Sequence, residues 1–193
     1  MKSSYFSAVV LAKNDSRTIN DCIHALQQIT DDIVVVLDNR SSDNTKSIAQ
    51  SCGARVFEKS WEGYSANKNF GIDQTLNNWI LCPDSDEIID TDLIKNIKDL
   101  LPEPDVAYEM NIMTYFGDYA VQHCGWYPDW NIRLFDKRIM RWNNNGVHES
   151  LESKSPYARK KINGLIHHYS FIDESHMQDK YDYYARLRAK EWI

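Results

Sequence analysis

In "ILCPDSDEIID" (80–90), Asp84 and Asp86 place two carboxylates two residues apart, with a third acid, Glu87, directly after them. The apolar run before them stops at Cys82 and Pro83, so the acids leave the end of a buried strand. In such a turn both aspartates can face one small space. Two hard oxygen donors suit Mg2+ or Mn2+, which keep waters and take further ligands from substrate phosphates. A cation held there neutralises charge as a diphosphate departs. The bland alternative is a solvated acidic turn that caps the helix starting near Thr91.

Two further segments carry candidate chemistry. In "VVVLDNRSSDNT" (34–45), Asp38 follows four apolar residues and is placed to accept hydrogen bonds from a base or ribose. Asp43 reads differently, as a helix-start residue that satisfies free backbone N–H groups. In "GYSANKNFGI" (63–72), Lys68 offers a cation for a diphosphate; a solvated helix lysine is the alternative.

The elements that must position these residues alternate regularly. "YFSAVVLA" (5–12) and "DIVVVLD" (32–38) are buried strands, "ARVFE" a short third and "NWILC" a fourth. Between them, Ile19, Cys22, Ile23 and Leu26 recur at helical spacing after an N-cap at Asp15 or Ser16. Residues 41–53 form a helix closed by Gly53, residues 64–77 look helical, and Leu93, Ile94 and Ile97 mark another helix. Continuous apolar strands predict a parallel sheet covered on both faces, with ligands at the carboxyl ends of its strands. Those ends carry Asn14, Asp15, Asp38, Asp84 and Asp86. After residue 104 the texture changes to a hairpin around Gly117-Asp118, strands in "WNIRLFDKR" and "INGLIHHYSF", and a polar helix.

Composition bounds the function. The 193 residues carry a net charge of −6, which makes nucleic acid a poor partner. Basic residues gather late, in "ARKK" (158–161) and "ARLRAK" (185–190); this fits a solvated helix face or a surface that meets anionic lipid or a phosphorylated acceptor. Cys22, Cys52, Cys82 and Cys124 form no CxxC, and the three that sit inside apolar patterns read as reduced core thiols of a cytoplasmic protein. Lys2 precedes only a short strand-like run, so no signal peptide is expected, and no apolar segment is long enough to span a membrane. The chain ends inside a helical pattern, and the expectation is a C-terminal extension beyond it.

The three acidic and basic segments, in this order, resemble the nucleotide-binding half of family 2 glycosyltransferases, which have the GT-A fold. "GWYPDWNIRLFDKR" (125–138), "GVHESLE" (146–152) and "LIHHYS" (165–170) resemble the second half of a branch that includes bacterial lipopolysaccharide-core β-glucosyltransferases. One position departs, because Arg40 stands where the family usually has a small residue. The resemblance implies a three-layer α/β/α sandwich with a mostly parallel central sheet and a small mixed β extension. Residues 1–104 would form the nucleotide-sugar-binding half, and residues 105–193 the acceptor-side half of the same domain.

By that resemblance the activity is metal-dependent, inverting transfer of a sugar from a nucleotide-sugar, a UDP-sugar, to a saccharide or lipid-linked saccharide acceptor. The setting would be lipopolysaccharide or surface-glycan biosynthesis at the inner face of the membrane, with peripheral membrane contact. Asp38 would contact base or ribose, Lys68 the diphosphate, Asp84 the ribose or donor sugar, and Asp86 the Mg2+ or Mn2+. His167 and His168 are the candidates for completing the metal shell. On a strand they point to opposite faces, and the family's single His before an aromatic favours His168. A general base must take the acceptor proton; Glu149 is favoured over Asp129, with an ion pair to Arg133 or Arg141 as its other reading. Arg133, His148 and Trp126 join the substrate-binding candidates, and Trp126, Trp130 and Trp142 are candidates for stacking on sugar faces. The rival is a non-catalytic nucleotide-sugar-binding protein of the same fold. Phosphoryl-transfer enzymes with an acid pair usually carry it after the first strand, and here it follows the fourth.

Overall fold

Predominantly apolar residues, with Ser7 the polar one inside β1, make β1 (Phe6–Ala12) and β2 (Ile33–Asp38) buried along almost their whole length. That is the pattern of strands covered on both faces. A computed structural model describes residues 5–143 and 150–190. After β1 comes α1 (Ile19–Gln27), and after β2 comes α2 (Thr45–Ser51). Then follow β3 (Arg55–Lys59), α3 (Tyr64–Asp73) and β4 (Trp79–Leu81). A short β5 (Glu87–Ile89) leads into α4 (Thr91–Asp99), which Asp90 caps by accepting a 2.7 Å bond from Leu93 N–H. The second half holds β6 (Val106–Phe116), β7 (Tyr119–Ala120), β8 (Asp129–Asp136) and β9 (Met140–Trp142). It closes with β10 (Leu151–Ser153), β11 (Ala158–Phe171) and α5 (Glu174–Lys190).

The main sheet runs β3-β2-β1-β4-β8-β6-β11-β5, with β7 paired to β6. Strands β3, β2, β1, β4, β6 and β11 share one direction; β8 and β5 oppose them. The sheet is therefore mostly parallel, and its reversed strands lie in the later part. Helices α1, α2 and α4 pack one face, where Ile19, Ile23, Leu26, Leu93 and Ile97 meet Ala8, Val10 and Val35. On the other face Ile72 of α3 and Met140 and Trp142 of β9 meet Val9, Val34 and Val36. This is the expected α/β three-layer sandwich. Gly71 lets α3 approach closely: a Cβ there would lie 2.6 Å from Val9 Cγ1 and 2.8 Å from Val36 Cγ2.

Local boundaries differ from the expectation in several places; helix α3, for one, ends at Asp73 rather than near residue 77. The residue flanking α1 is Thr18, since the Asp15 carboxylate turns back to Lys13 N–H and across to the Ser85 hydroxyl. Helix α2 begins at Thr45, because Asp43 accepts from Thr45 N–H and from Ser16 N–H in the preceding loop. The acidic turn does not run directly into a helix; β5 pairs with β11 first, His168 opposite Glu87. Among the described residues no helix is long and apolar enough to cross a membrane.

Candidate active site

The ends of β1, β2 and β4 are stitched together by short polar contacts. Asn14, at φ 57, turns the chain after β1, and its Oδ1 accepts from Ser42 N–H at 2.8 Å. Asp15 Oδ2 accepts from Ser85 Oγ–H at 2.7 Å, tying the first strand end to the acidic turn. Burial raises the Asp15 pKa above its usual value, against the two hydrogen bonds that lower it. A cavity of about 820 Å³ opens over these ends, with Asp15, Asp38, Asp84, Asp86 and His168 in its lining. Trp61 and Tyr64, an edge-to-face pair with centroids 4.7 Å apart, form part of the same wall.

Asp38 is almost completely buried and is gripped by its neighbour but one. Arg40 donates Nε–H to Asp38 Oδ1 at 2.9 Å and Nη2–H to Oδ2 at 2.5 Å, and its backbone N–H also reaches Oδ1. The Arg40 hydrogen bonds hold the Asp38 pKa below the usual carboxylate value despite burial. Arg40 is thus a charged partner that offsets the burial of a carboxylate at this strand end.

Asp84 and Asp86 face different cations. Asp84 lies 3.4 Å from Lys68 Nζ through Oδ1 and 3.4 Å from Arg133 Nη2 through Oδ2. Burial pushes its pKa up, but those two cations outweigh it and the net direction is down. Lys68 is itself buried, with its ammonium 4.4 Å from the centre of the Trp142 ring. Asp86 Oδ1 lies 3.4 Å from His168 Nε2, and Oδ2 lies 3.4 Å from Lys180 Nζ. Here too burial raises the pKa and the paired cations, His168 first, bring it well below the usual range. His168 moves the other way, upward, because Asp86 and the acids beside it outweigh its burial.

The two histidines divide as their strand requires. His168 faces the acidic turn, whereas His167 Nδ1 bonds the Tyr115 hydroxyl at 2.9 Å on the opposite face. His167 is therefore a packed residue and not a partner of Asp86. Among the described residues no three acidic, His or Cys groups converge on one point. Asp86 with His168 is the pair that fits a divalent cation: one hard oxygen and one imidazole nitrogen, with space beside them for phosphate oxygens.

The remaining candidates fall at different distances from the cavity. Arg133 is not in its lining; its guanidinium forks onto buried Glu87 at 2.8 and 2.6 Å and braces Asp84 from behind. Glu87, the third acid of the turn, is therefore an internal partner of Arg133 and does not face a ligand. Trp126 is one ring removed: it meets Phe171, a lining residue, edge-on at 6.2 Å. Asp129 is exposed at the start of β8, outside the lining, with its N–H bonded to Asn111 Oδ1. Trp142 packs in the core under Lys68, and Trp130 carries the Lys161 ammonium at 4.3 Å. His148 and Glu149 lie outside the described residues. Arg141, the alternative partner for Glu149, is paired with Asp73 at 2.6 Å.

Several lining residues escaped the sequence reading, among them Trp61, Tyr64, His176 and Lys180. Lys180, on α5, bonds Ser170 O at 2.9 Å and reaches Asp86. Nothing in the local pattern of a polar helix marks it, because the contact spans 94 positions.

Residues 7–165 match the model of Glycosyl transferase family 2. An uncharacterized glycosyltransferase of Rickettsia typhi is 30% identical over 97% of this chain and 68% of its own length. The lipopolysaccharide core biosynthesis glycosyltransferase LpsC of Rhizobium meliloti is 24% identical over 97% of this chain and 71% of its own length. Among solved structures, S. aureus TarS 1–349 in complex with UDP-GlcNAc aligns with a TM-score of 0.54 at 15% identity, over 81% of this chain and 58% of that one; this is a likeness of fold. With strand ends, acidic turn and cavity arranged as described, and the family matched over most of the chain, this protein belongs to glycosyl transferase family 2.

Proposed function

We propose that this family 2 glycosyltransferase moves a sugar from a UDP-sugar to a saccharide or lipid-linked saccharide acceptor, with inversion at the anomeric carbon and with Mg2+ or Mn2+ bound. The observation that carries the reading is the joint presence of Asp38, Asp84, Asp86 and His168 in one cavity at the carboxyl ends of parallel strands. The division of labour follows: residues 1–104 supply the donor side and residues 105–193 the acceptor side. Lipopolysaccharide or surface-glycan synthesis at the inner membrane face, with peripheral contact to that membrane, is the setting we infer.

In this mechanism Asp38, held by Arg40, accepts hydrogen bonds from the base or ribose. Asp84, braced by Lys68 and Arg133, accepts from the ribose or the donor sugar. Asp86 and His168 would hold the divalent cation, whose positive charge would offset that of the departing diphosphate. Glu149 takes the proton from the acceptor hydroxyl as that oxygen bonds the anomeric carbon and the bond to the diphosphate breaks. Attack from the side opposite the leaving group inverts the configuration. Asp129 is the second candidate for the base.

The test is release of nucleoside diphosphate from a panel of nucleotide-sugars, with and without saccharide acceptors, in Mn2+ and in chelator. Acceptor-stimulated, metal-dependent release is expected. Donor binding without release from any donor would instead support a non-catalytic binding protein.

A further inference from the structure

Helix α5 reaches back over the site. Its start is fixed by Asp173, which accepts from His176 N–H at 2.8 Å, and by His176 Nδ1, which accepts from Ile172 N–H. One turn further on, the Tyr181 ring packs against Phe171 with centroids 6.1 Å apart. Between these anchors Lys180 is half-buried and points into the cavity. Its ammonium donates to Ser170 O at 2.9 Å and lies 3.4 Å from Ser170 Oγ and from Asp86 Oδ2.

This places a cation on the carboxylate that also faces His168. A divalent ion bonded to Asp86 would stand within a few ångströms of Nζ, and like charges that close repel strongly in a partly buried site. Lysine is suited to yield, because its charge is compact and its four-carbon stem is flexible. The same cavity is where an anionic diphosphate would lie, and Lys180 has the reach to follow that charge.

We propose that Lys180 is a diphosphate-binding cation of the donor site: it neutralises Asp86 when the site is empty and passes to the donor's diphosphate when a divalent cation takes Asp86. The proposal rests on the nucleotide-sugar reading above. It makes the metal ion and the diphosphate mutually dependent: each binds better once the other has drawn the ammonium away from its first position.

Calorimetric titration of the intact protein tests this with three probes: Mn2+ alone, and UDP or inorganic diphosphate at saturating Mn2+. In Lys180→Met, Mn2+ alone should bind about tenfold tighter, because its competitor is gone, within the range typical of coupled sites. UDP and diphosphate should bind roughly 10- to 100-fold more weakly, as expected for loss of a charged hydrogen bond. Lys180→Arg should recover most of the diphosphate affinity. A merely structural lysine would weaken both ligands or neither, and either result overturns the proposal. Wild-type protein that binds diphosphate but not UDP would refute the choice of base and leave Lys180 in its role. Wild-type protein that binds neither would refute the donor reading and Lys180 together.

Discussion

Arg133 and Glu87 form a buried two-pronged ion pair directly behind Asp84, with N···O distances of 2.8 and 2.6 Å. Neither residue touches the cavity, yet together they fix the acidic turn: Glu87 Oε2 also accepts from Asp84 N–H at 3.0 Å. Burial disfavours the Arg133 charge, but Glu87 and Asp84 outweigh it and hold the guanidinium firmly protonated. Removing one partner strands the other charge in the interior. Arg133→Met should therefore cost about 3–5 kcal/mol in urea unfolding, and the double variant Glu87→Leu/Arg133→Met should recover much of it. A loss below about 1 kcal/mol, the range of exposed pairs, would mean the pair is effectively solvated.

Asp86→Ala removes the carboxylate assigned to the divalent ion. We expect the folded protein to survive and the donor's affinity to stop responding to Mn2+ or to chelator. Calorimetry with a nucleotide-sugar decides it. Equal donor affinity in the variant, or in chelated wild-type protein, would remove the metal from the mechanism.

Asp38→Ala should weaken nucleotide binding by about 1–3 kcal/mol, the usual cost of an unmet buried partner. Part of the effect would come from Arg40, whose side-chain bonds to Asp38 would be lost. A nucleotide-bound crystal structure with Asp38 more than one water away from the nucleotide would end this assignment.

Glu149→Gln keeps the side-chain shape and removes its basicity. We expect kcat to fall by roughly 10²–10⁴-fold, the range for loss of a general base. Donor affinity should hardly change, because the base acts on the acceptor. Asp129→Asn serves as the comparison and should lose much less. Steady-state transfer to a saccharide acceptor, paired with donor titration, separates the two; a large loss in Asp129→Asn alone would move the role to that residue.

Stability against acid should run partly through Asp32. This carboxylate accepts from the Ser7 hydroxyl, Leu76 N–H and Arg55, joining β1, the end of α3 and β3. Burial raises its pKa, but those three bonds together lower it below the ordinary value of 3.8. A folded-state pKa below the unfolded one adds stability above the unfolded pKa, and that stability is lost as pH falls through the folded pKa. Between about pH 5 and pH 2 the unfolding free energy of Asp32→Asn should therefore fall less steeply than that of the wild type. Parallel slopes in urea unfolding over this range would show that Asp32 contributes no proton linkage.

Much of this protein was legible in its residues. Apolar runs such as "VVVLD" encode strands covered on both sides, because no polar residue interrupts them to face water. The helical spacing of Ile19, Ile23 and Leu26 encodes a buried stripe. The polar residue that ends each run marks the edge of the sheet, so Asp15, Asp38, Asp84 and Asp86 could be grouped before any coordinates. These are local properties, set by periodicity and by where the chain turns.

What only the tertiary structure decided was which charge meets which. In the sequence Asp38 only ends an apolar run; a tight turn folds Arg40 back onto it. Glu87 looked like a third site acid, until Arg133, 46 positions away, claimed it. The pairing of β5 with β11 turned His168 to Asp86 and His167 to Tyr115. Lys180 entered the cavity from a helix whose own pattern carries no sign of a site. The reason is physical: periodicity fixes which face of an element is buried, but a long charged side chain finds its partner through strand register and packing, which bring distant parts of the chain within a few ångströms.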